Sequence, residues 1–226
     1  MEPTLTAALA SYHEIRFPYD PRRAKVWKAL AGYLQKWVEP RGGLLELGAG
    51  YGEFSREITA GEKWALDMNP ALVEYWGKDV KPLIQSALDP LPIESGSLAT
   101  VFASNFFEHF TLEQGSEILA EARRVLRPGG RLVAVQPNFR LEPGRYFDDY
   151  THRTAYTNNG FSDFLRASGY RIVHSEPRFT PFSMKAVAGR RLAGAPLSGV
   201  AMATAGRTVS RCSRKGKGEI RTNVAW

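Results

Sequence analysis

The chain has 226 residues, of which 43% are hydrophobic and 12% aromatic, so one globular domain is expected and disorder throughout is excluded. The formal net charge of +7 comes from residues 186–226, which hold eight Lys or Arg side chains and one Glu. Residues 1–185 balance 22 basic against 22 acidic side chains, which disfavours a nucleic-acid-binding surface on that part.

Targeting signals and metal motifs are missing from the sequence pattern. The first residues lack the basic start and apolar run of a secretory signal, and no run of about 18 apolar residues occurs. A cytoplasmic protein without a membrane span is therefore expected. The single cysteine, Cys212, cannot form an intramolecular disulfide. No metal site is predicted, because His13, His109, His152 and His174 show no ligand-like spacing.

Helix and strand patterns alternate along the chain. The first is an amphipathic helix over 21–38, with Asp20 as N-cap and Pro21 at the first helical position. Such alternation predicts an α/β fold with a mainly parallel twisted sheet and helices on both faces. The predicted strands are 43–47, 63–67, 81–85, 98–104, 131–136 and 170–175, and the other predicted helices are 52–60, 70–78, 112–126 and 158–168.

A glycine-rich turn follows the first predicted strand. Gly48, Gly50 and Gly52 stand between an apolar strand and a helical pattern, where positive φ lets the backbone approach a ligand. Nineteen residues after Gly48, Asp67 ends a second apolar strand, the usual position of a carboxylate that holds ribose hydroxyls. The two features predict a nucleoside ligand. The spacing G-x-G-x-G differs from the G-x-G-x-x-G of dinucleotide sites.

With Glu46 two residues upstream, the turn resembles motif I of class I S-adenosylmethionine-dependent methyltransferases. The segments 90–97, 103–110 and 121–132 carry the same resemblance, which extends over about residues 12–185. The chain most resembles the methyltransferase type 11-like group with small-molecule, lipid or glycan acceptors. The resemblance implies a Rossmann-like methyltransferase fold and S-adenosyl-L-methionine as cofactor.

The resemblance also implies the cofactor contacts. Glu46 is expected near the ammonium end, and Asp67 is expected to accept hydrogen bonds from both ribose hydroxyls. Ser86 departs from the family, which usually has an acid beside the adenine amino group; backbone groups of residues 86–88 or the carboxylate of Asp89 are the alternatives. The residues expected to bind the cofactor are Glu46, Gly48, Gly50, Gly52, Asp67, Met68, Ser86, Ala87, Leu88, Asn105 and Phe106.

Three further features complete the predicted cofactor site. Met68 would pack on the adenine face, or else fill the core. Asn105 and Phe106, after the fourth strand, would form the floor under the sulfonium. A lid over the cofactor is expected from the N-terminal segment, through Tyr12, Arg16, Phe17 and Arg22.

The segment 146–157 lies after the fifth strand, where related enzymes build the acceptor pocket. Methyl transfer is an in-line displacement that needs few catalytic groups. Asp149 and His152 are predicted as an oriented base for a hydroxyl acceptor, because a carboxylate can fix a histidine tautomer and raise its basicity. The alternative is a structural loop in which His152 caps the helix near Thr157. His109 likewise has an active and a helix-capping interpretation.

Three regions are predicted along the chain: a helical lid over 1–40, the cofactor-binding domain over 41–185 and a basic tail over 186–226. The tail is rich in Gly, Ala, Arg and Ser and has no strong apolar period, so disorder or an atypical structure is expected. The family closes its sheet with an antiparallel seventh strand, and only a weak segment over 195–205 is available. Two hypotheses remain open: an altered or out-of-frame C-terminus, and a solvated basic extension.

The pattern as a whole predicts an S-adenosylmethionine-dependent methyltransferase that acts on a hydroxyl of a small-molecule, lipid or glycan-like acceptor, with its oligomeric state left open. A nicotinamide-dependent oxidoreductase would need the third glycine one residue later and a hydride-transfer site. A nucleic-acid-binding module or an RNA methyltransferase would use the cations of the tail.

Overall fold

A computed structural model of the chain describes residues 12–180 and 198–205, in which the strands form one seven-stranded sheet. The strands are β1 Gly43–Leu47, β2 Lys63–Asp67, β3 Val80–Ile84, β4 Leu98–Ser104, β5 Leu126–Pro137, β6 Tyr170–Thr180 and β7 Ser198–Ala205. Their order in the sheet is β3-β2-β1-β4-β5-β7-β6. Strands β1 to β5 pair in parallel, whereas β7 is antiparallel to both neighbours. The predicted fold class is confirmed.

Helices pack on both faces of this sheet. They are α1 Tyr12–Ile15, α2 Arg23–Leu34, α3 Glu53–Glu57, α4 Leu112–Val125, α5 Pro143–Tyr146 and α6 Asn158–Ala167, with short 3-10 helices at Gln35–Trp37, Pro70–Tyr75 and Phe107–His109. Trp27 and Leu34 of α2 are buried on one face beside Phe54 and Phe102, whose rings stack 3.6 Å apart. None of the described helices is long and apolar enough to cross a bilayer.

The first helix begins later than its pattern predicts. The helix starts at Arg23, with Arg22 in the cap position and no side-chain cap bond there. Asp20 still makes the contact expected of a cap, because its carboxylate accepts from the Arg22 backbone N–H, and it also accepts from the Arg22 guanidinium. The prediction of a helix over 70–78 was also wrong in type, since Pro70–Tyr75 forms a 3-10 helix with Asn69 as its cap.

Strand β5 begins before its predicted start. Leu126 already pairs with Leu98, and the regular register resumes where Arg131 pairs with Thr100. The Pro-Gly-Gly segment between these pairs contains Gly129 at φ +79°. It therefore forms an irregularity inside β5, where the sequence predicted a turn that precedes the strand.

Strand β7 overturns the prediction that the tail supplies no convincing closing strand. Ser198–Ala205 lies between β5 and β6, and the backbone pairs with both of them. Two-sided pairing holds a strand of small residues that has no strong apolar pattern, and Ala203 is fully buried. Residues 1–11 of the predicted lid, residues 181–185 of the predicted cofactor-binding domain, and residues 186–197 and 206–226 of the predicted tail lie outside the described residues.

The topology places a crevice at one edge of the sheet. Strands β2 and β3 lie on one side of β1 in the sheet, and strands β4 and β5 lie on its other side. The order therefore reverses between β1 and β4, and ligands in open α/β sheets bind outside the carboxyl ends of strands at such a point.

Candidate cofactor and acceptor site

A cavity of about 530 Å³ opens at this reversal point. It is lined by the glycine turn after β1, the ends of β2, β4 and β5, the N-terminal segment and the segment around α5. Its lining has more carboxylates than cations, which favours a positively charged ligand. The carboxylates are Glu46, Glu53, Asp67, Glu108, Glu142, Asp148 and Asp149, and the arginines are Arg16 and Arg145.

The first two glycines of the turn face the cavity. Gly48 has φ +62°, and a Cβ on it would lie 2.5 Å from the Phe106 ring. Gly50 has φ +52°, and the nearest atom to an added Cβ would be in Phe17, 3.8 Å away. Gly48 thus allows Phe106 to pack against the turn, while Gly50 leaves the wall bare for a ligand.

The third glycine has a different role from the one predicted. Gly52, at φ +65°, would place a Cβ 2.4 Å from Trp76, and it is not among the residues that line the cavity. The Trp76 indole N–H donates to the Gly50 carbonyl at 2.7 Å. Gly52 therefore lets Trp76 hold the turn from behind, rather than line a ligand site.

Asp67 lines the cavity at the end of β2. Its Oδ2 accepts from the Gly50 backbone N–H at 2.9 Å, and its Oδ1 accepts from the Asn69 N–H at 3.0 Å. The carboxylate thus joins the glycine turn to β2. Each oxygen has a second lone pair, so the group can still accept hydrogen bonds from a diol.

The residues predicted for the adenine do not reach the cavity lining. Met68 has an exposed fraction of 58%, and Ser86, Ala87 and Leu88 lie beyond the end of β3. The N–H of Ser86 donates to the Asp89 carboxylate, and the N–H of Leu88 donates to the Ser86 hydroxyl. Local hydrogen bonds therefore already use the backbone donors that were expected to face adenine.

Glu46 is buried in the wall behind the glycine turn, at 4% exposure. Its Oε2 accepts from the backbone N–H of Ser55 at 3.1 Å and from the Ser55 hydroxyl. Burial raises the pKa of Glu46 to about 8, and the nearby carboxylates Glu53 and Asp67 reinforce the shift. At neutral pH a proton on Glu46 removes one negative charge from this wall.

Sequence reasoning missed a buried ion pair beside Glu46. The Arg23 guanidinium donates two hydrogen bonds, of 2.9 and 2.6 Å, to Glu53 Oε1, and both side chains are buried. The same guanidinium lies 3.8 Å from the centre of the Phe17 ring. The pair fixes the start of α3 against the N-terminal segment, and no motif in the sequence links residues so far apart.

The N-terminal segment places three of the four residues predicted for the lid in the cavity lining. These are Tyr12, Arg16 and Phe17, and His13 lies beside them. Arg22 is not in the lining: its side chain is 59% exposed and pairs with Asp20.

Asn105 and Phe106 line the cavity after β4, as predicted from their position. Asn105 has φ +46°, the single non-glycine residue with positive φ in the part of the chain that the structure describes. Its backbone N–H donates to the Val135 carbonyl of β5 at 2.9 Å. This bond fixes the strained residue between the two strands, and Phe106 then turns onto the glycine turn.

Four polar side chains meet on the opposite side of the cavity: Glu108, His109, Asp149 and His152. His152 Nε2 lies 3.9 Å from Asp149 Oδ2 and 3.9 Å from Glu108 Oε1. His109 Nε2 lies 3.9 Å from the same Glu108 oxygen. The structure thus brings together the two residues predicted as a base and adds Glu108 and His109.

Asp149 is the centre of a hydrogen-bond network. Its Oδ2 accepts from the Tyr12 hydroxyl at 2.8 Å, and its Oδ1 accepts from the Thr151 hydroxyl at 2.6 Å. Because Thr151 gives its one hydroxyl proton to Asp149, it accepts from His109 Nδ1, 2.9 Å away. In a neutral His109 ring, this relay places the proton on Nδ1 and the lone pair on Nε2. Burial, with the Asp149 charge next, raises the pKa of Tyr12, so the phenol stays a donor.

Other residues take the helix-capping roles considered for the two histidines. The Thr157 hydroxyl accepts from the Gly160 N–H at the start of α6. At the start of α4, Thr111 and Gln114 form a reciprocal capping box. His109 and His152 are therefore not caps, and both line the cavity.

The described strands form a Rossmann-like sheet with an acidic cavity at its reversal point, and comparison with known proteins supports a methyltransferase. Residues 45–134 match the family model of a methyltransferase domain. Malonyl-[acyl-carrier protein] O-methyltransferase of Methylococcus capsulatus is 29% identical over 170 residues, which is 68% of this chain and 61% of that protein. The ubiquinone/menaquinone biosynthesis C-methyltransferase UbiE of Burkholderia mallei is 28% identical, over 70% of this chain and 68% of that protein.

Solved structures agree on the fold. A SAM dependent methyltransferase from Archaeoglobus fulgidus has a TM-score of 0.67 at 17% identity, over 87% of this chain and 99% of that one. Geranyl diphosphate C-methyltransferase from Streptomyces coelicolor, in complex with Mg²⁺, geranyl diphosphate and S-adenosyl-L-homocysteine, has a TM-score of 0.62 at 14% identity, over 80% of each chain. Together the family model and the relatives support a class I S-adenosylmethionine-dependent methyltransferase, with S-adenosyl-L-methionine as the cofactor, and the solved structures support its fold.

Proposed function

We propose that this chain methylates a hydroxyl oxygen of a small-molecule acceptor, including one that is lipid- or glycan-like. The observation that carries the proposal is the cluster of Glu108, His109, Asp149 and His152, which shares one cavity with the glycine turn. A hydroxyl must lose its proton as its oxygen is methylated, and an imidazole held by a carboxylate suits that step near neutral pH.

S-adenosyl-L-methionine supplies a methyl group on a positively charged sulfur. The residues that would hold it are Gly48, Gly50 and Asp67, with Glu46 behind them and Asn105 and Phe106 opposite. The acidic lining fits the charge of the cofactor, and Asp67 offers hydrogen-bond acceptors to its ribose.

The acceptor would lie between the cofactor and the histidines. Its oxygen gains the methyl group, and its proton passes to an imidazole of the cluster. His152 and Asp149 stay the predicted pair. The geometry adds His109, because its side chain has an exposed fraction of 25% against 8% for His152, and its Nε2 carries the lone pair.

The relatives support methyl transfer and differ in the atom methylated, since one is named an O-methyltransferase and the other a C-methyltransferase. A hydroxyl acceptor is favoured here by the paired imidazoles. A carboxylate acceptor would need no base, and the carboxylates of the lining would repel it.

Substitution of each histidine tests the proposal. With alcohols screened as acceptors, His152→Gln and His109→Gln should each lower kcat by about 100-fold or more, the range for loss of a general base. His174→Gln is the matched control. His174 lies in β6, packs against Trp37 and does not line the cavity. Full transfer to an alcohol by both cavity variants would contradict the proposal, as would transfer by wild type to carbon or carboxylate acceptors alone.

A further inference from the structure

The acceptor side of the cavity brings together three groups of the kind that bind metal ions. Glu108, His109 and His152 each offer one ligand atom, and these atoms lie within 4.8 Å of one another. His109 Nε2 and His152 Nε2 are both 3.9 Å from Glu108 Oε1. The two histidines are 43 positions apart in the sequence, so no metal-ligand spacing pattern predicts that they meet.

Neighbouring side chains orient these ligand atoms. His109 Nδ1 lies 2.9 Å from the Thr151 hydroxyl, which donates to Asp149, and this contact turns His109 Nε2 toward Glu108. Histidines that bind metals usually donate their other ring N–H in this way, either to a carboxylate or to another oxygen. On Glu108, the second oxygen accepts from the Gln136 side-chain amide, which turns Oε1 toward the two imidazoles.

The local charge also favours a cation. Glu108 is fully buried, and Asp149 is buried at 2% exposure nearby. A positive charge between two buried carboxylates lowers their electrostatic free energy, and the effect is strong because the local dielectric is low. Arg16 Nε lies 3.8 Å from Asp149 Oδ2 and offsets part of this negative charge.

We propose that Glu108, His109 and His152 bind a divalent transition-metal ion, with Zn²⁺ as the representative, and leave its remaining positions open to the cavity. Two imidazoles with one carboxylate are a ligand set of catalytic zinc sites, whereas Mg²⁺ prefers oxygen ligands. Zn–ligand bonds of about 2.1 Å at tetrahedral angles put ligand atoms about 3.4 Å apart. Each imidazole Nε2 is now 3.9 Å from Glu108 Oε1, and no pair of ligand atoms is more than 4.8 Å apart, so side-chain rotations can reach that spacing.

This inference deepens the proposed function and rests on it for the role of the ion. An acceptor hydroxyl bound at an open position would lose its proton more easily, because a metal ion lowers the pKa of a bound oxygen. In that state the imidazoles are ligands, and the proton passes to the Asp149 carboxylate. The imidazoles thus act either as bases without a metal ion or as ligands of one, and a titration with Zn²⁺ distinguishes these two arrangements.

The test is a calorimetric titration of Zn²⁺ alone, and of Co²⁺ alone, into the full chain without an affinity tag after removal of metals by dialysis against a chelator. A Cys212→Ser background removes the only thiol. We expect one ion per chain, and a visible Co²⁺ spectrum typical of four-coordinate sites. His109→Ala and His152→Ala should each weaken Zn²⁺ binding about 100-fold. Thr151→Val should weaken it about tenfold, because the Thr151 hydroxyl orients His109 and is not itself a ligand.

His174→Ala is the matched control and should bind Zn²⁺ as wild type does, since His174 contacts Glu176 and lies outside the cavity. Circular dichroism and S-adenosylhomocysteine binding establish that each variant is folded. Absence of a stoichiometric site in wild type would overturn the inference, as would equal affinity in all variants or binding of Mg²⁺ but not Zn²⁺.

Methyl transfer is then measured separately with and without the chelator. Loss of transfer in chelator and its recovery with Zn²⁺ support the catalytic ion. Chelator-resistant transfer overturns the role of the ion and leaves the proposed methylation standing. One-to-one Zn²⁺ binding by a chain that methylates no alcohol supports the metal site and refutes the proposed function.

Discussion

The two sides of the cavity are built in different ways. The cofactor side comes from one short stretch, in which β1, the glycine turn and β2 lie within residues 43–67. The acceptor side combines Glu108 and His109 after β4 with Asp149 and His152 after α5. The first is held by backbone conformation and the second by side-chain hydrogen bonds. Substitutions should therefore separate binding of the cofactor from transfer to the acceptor.

The largest expected effect comes from Asp149→Asn. An amide cannot accept from Tyr12 and Thr151 as the carboxylate does, so the His109 orientation is lost. Transfer should fall by about 100-fold. Affinity for S-adenosylhomocysteine, measured by calorimetry, should stay that of wild type.

Asp163→Asn is the control for that substitution, because Asp163 is exposed on α6 and pairs with Arg166. A parallel loss of cofactor affinity in Asp149→Asn would show that the two sides of the cavity act as one unit.

The glycine turn provides the next comparison. Gly48→Ala and Gly96→Ala both force alanine into positive φ, which costs roughly 1–2 kcal/mol. Only Gly48 adds a clash, since its Cβ would lie 2.5 Å from Phe106 while Gly96 has open space. We expect Gly48→Ala to lower the free energy of unfolding by about 1–3 kcal/mol more than Gly96→Ala does, as measured in urea.

Equal destabilisation by the two alanines would mean that Phe106 moves freely away from the turn. In that case Phe106 could not form a fixed wall of the cofactor site.

The third comparison concerns pH. Burial raises the folded-state pKa of Glu46 to about 8, above its ordinary value. A carboxyl with a raised pKa favours the folded state fully below its unfolded pKa, and this contribution falls as pH rises toward about 8. Glu46→Gln cannot ionise, so its free energy of unfolding should decline less between pH 5 and pH 8 than that of wild type. Identical pH profiles in urea unfolding would contradict this account.

Local patterns predicted several of the residues that line the cavity beside β1 and β2. Gly48 and Gly50 show in the sequence because positive φ and close approach require glycine, and Asp67 ends a clear apolar strand. The same pattern could not show that Gly52 serves Trp76, because that contact depends on where the following 3-10 helix packs.

Contacts between residues far apart in the chain could not be predicted from local sequence patterns. The pairing of Arg23 with Glu53 joins residues 30 positions apart, and the meeting of His109 with His152 depends on how two loops end at one sheet edge. Strand β7 was missed because pairing on both sides, rather than an apolar period, holds its small residues.

The measurement that tests the central claim most directly is calorimetric binding of S-adenosylmethionine and S-adenosylhomocysteine to wild type, Asp67→Ala and Asp163→Ala. Asp67 lines the cavity and holds the glycine turn, whereas Asp163 is exposed on α6 and lies outside the cavity lining. We predict micromolar binding by wild type and Asp163→Ala, and its loss in Asp67→Ala. A folded wild type that binds neither ligand, or an Asp67→Ala variant that binds as wild type does, would contradict the placement of the cofactor in this cavity.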